Sequence, residues 1–285
     1  MVSVKSLIGS ARAAHRPLPL AVWRTAESYV RQAIPALSAP LVRLGDYDAV
    51  VVADVHDLMG RGLMRYGFHD PVGWAAHQVL APGDCFIDAG ANIGLITLVA
   101  AARVGATGHG ISCEPVPATA AMLRRNVEAN GFSWVTIEQR AVGETRGSAQ
   151  MTAFHASAGH HSFAPPSTAE GHPVVVDVSC LDELAATLPA PPALVKLDVE
   201  GAEVKALRGA RELVAARTTT FIIEVEPEHL QRQGTSVQEL RETFIDYEAF
   251  AIETKRGGGF ALVHWHGAWD EDLPTSPNLV LRPAG

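Results

Sequence analysis

Apolar and polar positions change period along this chain, and the changes mark out its elements. From Asp84 onward short apolar runs alternate with helical stretches, which predicts strands near residues 85–88, 109–113, 134–138, 193–198, 219–225 and 249–254. Such alternation argues for an α/β fold, a mostly parallel sheet with helices on both faces. The helix expected over Pro117–Ala129 has proline in its first turn and stops at Asn130-Gly131, both boundary signals. Two further runs, Ser148–Phe154 and Val174–Val178, predict a strand pair that frames a loop at residues 155–172. The Pro165-Pro166-Ser167-Thr168 tract makes that loop a candidate flap over a site. Further on, Thr254–His264 with Gly257-Gly258-Gly259 reads as a hairpin, and Asn278–Leu281 as a last strand.

Ahead of Asp84 the pattern is less regular. Residues 1–45 read as short helices, Ala21–Ala33 among them, punctuated by Pro and Ser, and form an unassigned N-terminal extension. Asp48–Val55 followed by Asp57–Tyr66, with Gly60 and Gly62, predicts a small hairpin, and Gly73–Leu80 a helix closed by Pro82-Gly83. Three parts result: the extension at 1–45, a prefix of hairpin and helix at 46–83, and the main domain at 84–285.

Composition narrows the classes. The chain has 285 residues, 47% hydrophobic and 19% charged, which suits a globular core and not a disordered segment. Its net charge of -8, without a basic patch, argues against a nucleic-acid partner gripped through phosphates. Cys85, Cys113 and Cys180 lie in or beside apolar runs and read as small buried hydrophobes, so a reducing, cytoplasmic location is the default. Pro17, Pro19 and Pro35 break the N-terminal apolar runs, so neither a signal peptide nor an integral membrane segment is expected. The sequence leaves open a partner-binding arm at residues 1–40 and a homo-oligomer.

The densest chemistry lies in Asp84–Gly94. An apolar run ends in Asp88, a tight Gly90-Ala91-Asn92 corner follows, and Gly94 opens a helical stretch. A helix start offers unpaired N–H groups to an electron-rich ligand. A dinucleotide corner needs bare backbone at its second glycine, and here that position is Asn92, which disfavours a nicotinamide oxidoreductase. Asp88 would repel phosphate yet suits a cation or an amine. S-adenosylmethionine has no phosphate and carries both a sulfonium and an ammonium, so Asp88, Gly90, Asn92 and Gly94 are read as its binding corner. Glu114, 20 residues past Gly94 at the end of the next apolar run, stands where an acid would hold the ribose hydroxyls.

A second cluster runs from Leu194 to Glu203. Alternation puts Lys196 and Asp198 on one face of a strand, with Glu200 just past its end, and ligands in open α/β sheets sit at such strand ends. Charges in an apolar strand are costly unless paired or used. A structural ion pair with acids of the following helix start is the plainer alternative.

Together these residues resemble the FkbM-type S-adenosylmethionine-dependent methyltransferases over roughly residues 46–282. The resemblance rests on Phe86–Gly94, Glu114-Pro115, Ala141-Val142-Gly143, Leu181–Leu184, Lys196–Glu203 and Ile223-Glu224. It implies a class I methyltransferase (Rossmann-like) fold, seven strands with the last antiparallel, and methylation usually at a hydroxyl of a sugar, glycolipid or secondary-metabolite scaffold. Tyr66 and Phe68 lie in a segment that in the family leads into the cofactor strand, so they are either cofactor contacts or core.

Methyl transfer to an alcohol calls for a base near the methyl group, and Asp198 is the first candidate, with Lys196, Glu200 and Glu224 to position the acceptor or tune that base. His161, in the flap, is the alternative base. A flap histidine pair with Asp198 or Glu224 would suit a divalent metal, but the spacing matches no established metal pattern and no metal is assigned. Trp265 and Trp269, with His264 and His266, either line an acceptor pocket or seal the hairpin, and Asn130 either reaches the adenine or caps its helix. A small-molecule or carbohydrate acceptor is therefore expected. N-methylation and a non-catalytic cofactor-binding module remain as the other readings.

Overall fold

The computed structural model describes residues 41–53, 58–153, 172–267 and 278–284. A short antiparallel hairpin comes first, β1 (Leu41–Arg43) against β2 (Val50–Val52). Two helices follow, α1 (Leu58–Tyr66) and α2 (Pro71–Val79). The first corrects the sequence reading, which put half of a hairpin at Asp57–Tyr66. Gly60 and Leu63 are both buried, three residues apart on one helix face, and that packing outweighs the ~1 kcal/mol that each helical glycine costs. The true partner of β2 lies upstream. α2 begins two residues before the expected Gly73: Pro71 opens it and the Asp70 carboxylate accepts the Gly73 N–H at 2.7 Å.

Strand and helix then alternate as β3 (Cys85–Ala89), α3 (Leu95–Val104), β4 (His109–Cys113), α4 (Pro117–Ala129) and β5 (Val135–Glu138). A digression of three strands comes next, β6 (Ala141–Val142), β7 (Gly147–Ala153) and β8 (His172–Ser179), which form a sheet of their own. After α5 (Leu181–Ala185) the alternation resumes with β9 (Leu194–Leu197), α6 (Glu203–Arg208), α7 (Arg211–Ala216) and β10 (Thr220–Glu224). α8 (Pro227–Arg232), α9 (Val237–Thr243), β11 (Tyr247–Thr254), β12 (Phe260–His264) and β13 (Asn278–Pro283) complete the chain.

The main sheet has the order β12-β11-β13-β10-β9-β3-β4-β5. Strands β10, β9, β3, β4 and β5 pair in parallel, and β13 runs antiparallel between β10 and β11. This is the class I methyltransferase arrangement expected from the sequence, with one strand more. The predicted C-terminal hairpin adds β12 as an eighth strand, antiparallel to β11 across a glycine turn.

Both faces of the sheet are covered, so its central strands are mainly apolar, with Asp88 and Lys196 as paired charges among them. Phe86, Leu194, Ile222 and Val280 point to one core, shared with α2, α3 and α4, and Ile87, Val195, Phe221 and Ile223 to the other, under α5, α6 and α9. The first core also takes in Leu44, Val51, Phe68 and Ala75, so the hairpin and α2 share it with the main sheet. Among the described residues no helix is long and apolar enough to cross a membrane. Residues 1–40, 154–171 and Trp269 lie outside the described residues, and with them the expected N-terminal helices and nearly all of the flap, His161 included.

Candidate active site

Parallel registry brings the two motifs together. Asp88 of β3 stands opposite Lys196 of β9, so both strand ends deliver their charges to one place. Thr97 of α3 donates to Asp88 Oδ2 at 2.6 Å and shares a 2.8 Å hydrogen bond with Ser112 of β4. Lys196 donates to the Gly90 carbonyl at 2.8 Å and lies 3.4 Å from both Asp88 Oδ1 and Asp198 Oδ2. Burial works against the lysine charge, but Asp198 and Asp88 outweigh it and hold its pKa above the ordinary value.

This geometry bears on the roles of Asp88 and Lys196. Asp88 and Lys196 are 1% and 5% exposed. They face each other beneath the corner and are not among the residues that line the cleft, so in this structure they support the corner from below. The pairing satisfies two charges that could not otherwise be buried.

The corner itself is held from several sides. Gly90 has φ +76°, and a Cβ there would lie 1.8 Å from the Asp198 carbonyl oxygen, so β3 and the turn after β9 meet at a contact only glycine permits. Asn92 adopts φ 51° and caps itself, its Oδ1 accepting the Ile93 N–H at 2.8 Å. Gly94, at the N-cap of α3, has no room for a side chain because a Cβ would sit 2.5 Å from Leu123. Asn126 of α4, which sequence reasoning missed, donates to the Ile93 carbonyl at 2.7 Å and accepts from Val52 N at 2.8 Å, tying corner to hairpin.

Glu114 closes the corner from β4. Its Oε2 accepts the Asn92 N–H at 3.0 Å and its Oε1 the Val116 N–H at 2.9 Å. Burial nevertheless pushes its pKa up to about 7. Gly90, Asn92, Glu114, Asp198 and Glu200 line one cleft, backed by Val142 of β6 and Met151 of β7. The smaller sheet thus supplies an apolar wall.

Asp198 keeps 38% of its side chain exposed to this cleft, while Lys196 holds its Oδ2. Glu224, at the end of β10, hydrogen-bonds to Asp198. Burial first, then Asp198, Glu200 and Glu203, raise its pKa well above the usual carboxylate range. Glu203 fixes the intervening turn: its Oε1 accepts Val199 N at 3.0 Å and Gly201 N at 3.2 Å. Glu200, at φ 54°, lies 3.4 Å from His229 Nδ1 on α8, a neighbour that no local spacing announces.

The remaining candidates fall elsewhere. Phe68 is a core residue, set edge-on to Tyr47 at 6.0 Å and pressed against Gly73, which is the packing alternative of the two its position allowed. Tyr66 ends α1, and its side chain is outside the described set. Asn130 sits at the C-cap of α4 and bonds both the N–H and the carbonyl of Val50, so the capping alternative holds. Trp265 packs on the second core and His264 stacks on His266 at 4.2 Å, which seals the hairpin.

The residues present fit S-adenosylmethionine. Each Glu114 oxygen accepts a single backbone N–H, which leaves lone pairs for a ribose diol, and Gly90 keeps the floor free of a Cβ. The methyltransferase FkbM domain model matches residues 88–254. "Methyltransferase 1" of Beauveria bassiana is 32% identical over 148 residues, 45% of this chain and 59% of that protein's length. Among solved structures, methyltransferase FkbM from Methylobacillus flagellatus is 16% identical, with a TM-score of 0.41 over 91% of this chain and 60% of its own. A SAM-dependent O-methyltransferase from Thermotoga maritima is also 16% identical, with a TM-score of 0.43 over 76% of this chain and 65% of its own. With both motifs, the strand order and the matched domain in agreement, the chain belongs to the FkbM methyltransferase domain family.

Proposed function

We propose that this protein methylates a hydroxyl group on a sugar, glycolipid or secondary-metabolite scaffold, with Asp198 as the base. Membership of the FkbM methyltransferase domain family makes S-adenosylmethionine the methyl donor. When bound, that cofactor supplies an electrophilic methyl on a sulfonium. Gly90, Asn92 and Glu114 are the residues that would hold it.

The observation that carries the proposal is the setting of Asp198. A hydroxyl is a weak nucleophile until it loses its proton, and Asp198 is a carboxylate open to the cleft, fixed on one oxygen by Lys196. Glu224 hydrogen-bonds to Asp198 and orients its accepting oxygen. Lys196 acts through Asp198 and Gly90 and is a positioning residue. The apolar wall at Val142 and Met151 excludes water from one side, as a reactive sulfonium needs. A net charge of -8 supports a neutral or cationic small molecule over nucleic acid, and a cytoplasmic location completes the reading.

Incubation with labelled cofactor and a panel of hydroxylated sugars and scaffolds should yield methyl ethers. Asp198→Asn is expected to lower kcat by ~10²–10⁴-fold while affinity for S-adenosylhomocysteine stays near that of the parent. Near-normal turnover in that variant would remove Asp198 as the base, and methylation of amines alone would overturn the hydroxyl assignment.

A further inference from the structure

Three side chains from three elements converge beside the cleft, at Glu200. Glu200 in the turn after β9, Glu224 at the end of β10 and His229 on α8 place one donor atom each within 4.8 Å of one another. We propose that these residues hold a divalent transition-metal ion, of the Mn²⁺ or Zn²⁺ class, which takes up the acceptor hydroxyl beside Asp198. The inference rests on the hydroxyl-methylation reading and adds a cofactor to it.

Donors at ~2.1 Å from a metal stand ~3–4 Å apart, so a small side-chain rotation closes the observed triangle onto an ion. Two carboxylates and one imidazole suit Mn²⁺ or Zn²⁺ better than Mg²⁺ or Ca²⁺, whose sites are built from oxygen alone. The imidazole itself points to a ligand. His229 Nδ1 is buried, has no hydrogen-bond partner among the described residues, and lies 3.4 Å from Glu200 Oε2. A buried ring nitrogen without a partner calls for an explanation, and a cation between it and the carboxylates provides one.

Placement favours function over an adventitious surface site. Glu200 lines the same cleft as Asp198, so an ion there opens toward the acceptor with coordination positions left over. A Cβ on Gly201 would lie 2.4 Å from the His229 carbonyl oxygen, so the Glu200 turn and α8 are locked together before any ion arrives. A coordinating carboxylate is deprotonated, so an ion here takes the place of any proton on Glu224, and its divalent charge offsets the mutual repulsion of Asp198, Glu200, Glu203 and Glu224.

The chemistry balances. A hydroxyl coordinated to the ion becomes more acidic and its proton passes to the Asp198 carboxylate. The freed oxygen pair forms the bond to the methyl carbon as the carbon–sulfur bond breaks, with its electrons left on the now neutral sulfur. Asp198 then returns the proton to water.

The test is metal binding by the full chain after chelation and dialysis. MnCl₂ and ZnCl₂ are titrated in, free Mn²⁺ being followed by electron paramagnetic resonance and Zn²⁺ by calorimetry. One ion per chain is expected, with His229→Gln and Glu200→Gln each weakening it by ~100-fold or more, since even outer partners of a metal site contribute ~10–100-fold. Calorimetry with S-adenosylhomocysteine shows that each variant is folded. If the parent binds neither ion, or both variants bind as the parent does, the metal site is overturned while the cofactor cleft and Asp198 stand. If metal binds and methyl transfer to hydroxyls is absent, the reading of the reaction fails and the site remains.

Discussion

Glu114 is under two opposed influences. Two backbone N–H groups favour its carboxylate, yet burial outweighs them and pushes its pKa up to about 7. Ribose hydroxyls donate to the ionised form, so affinity for S-adenosylhomocysteine should rise from about pH 5.5 to about pH 7.5 and level off above. Calorimetry across that range checks it, with Glu114→Gln expected to flatten the profile. A parent profile that is itself flat would place the ribose elsewhere. At this scale the sequence shows which residues meet and conceals how they face. Alternation puts Lys196 and Asp198 on one side of β9, but only registry with β3 turns the lysine under Gly90 and leaves the aspartate in the cleft. His229 is illegible for another reason: it stands 29 residues from Glu200, and the packing of α8 alone makes them neighbours.

Between elements, close packing shows where the strands have no slack. Phe86 of β3 lies opposite Gly110 of β4, and a Cβ on that glycine would come within 2.3 Å of the phenyl ring. Gly110→Ala should therefore destabilise the protein by about 1–3 kcal/mol, read as a lower urea midpoint at unchanged slope. Gly147→Ala, where a Cβ meets nothing within 4 Å, is the control. The strand pattern is legible because β3, β9 and β10 are covered on both faces and so read as mainly apolar runs, with their charges near the strand ends. α4 is legible through its proline start and Asn-Gly stop, and both limits are met. α1 is not, because Gly60 and Gly62 look like turn residues until the core of Leu63 and Phe68 is in view.

Across the whole molecule, two buried acids link stability to pH. Burial raises Glu114 and Glu203 each to about 7, above the ordinary value of 4.5. A raised carboxyl pKa favours the fold fully below about pH 4.5, and that contribution is lost as pH climbs toward 7, by up to about 3 kcal/mol for each acid. The parent should thus lose stability relative to Glu203→Gln between pH 5 and pH 7.5. Paired urea titrations at both values measure this, and a constant difference would mean that Glu203 does not titrate in that window. The strand order has a consequence in time. β13 is the last described strand in sequence, yet it is wedged between β10 and β11. While the chain emerges from the ribosome, β10 shows a bare edge and the β11–β12 hairpin has no neighbour until residues 278–283 leave the exit tunnel. An unpaired apolar edge invites pairing with other chains. The Glu224 end of β10 therefore gains its second neighbour only after nearly all of these residues have been synthesised.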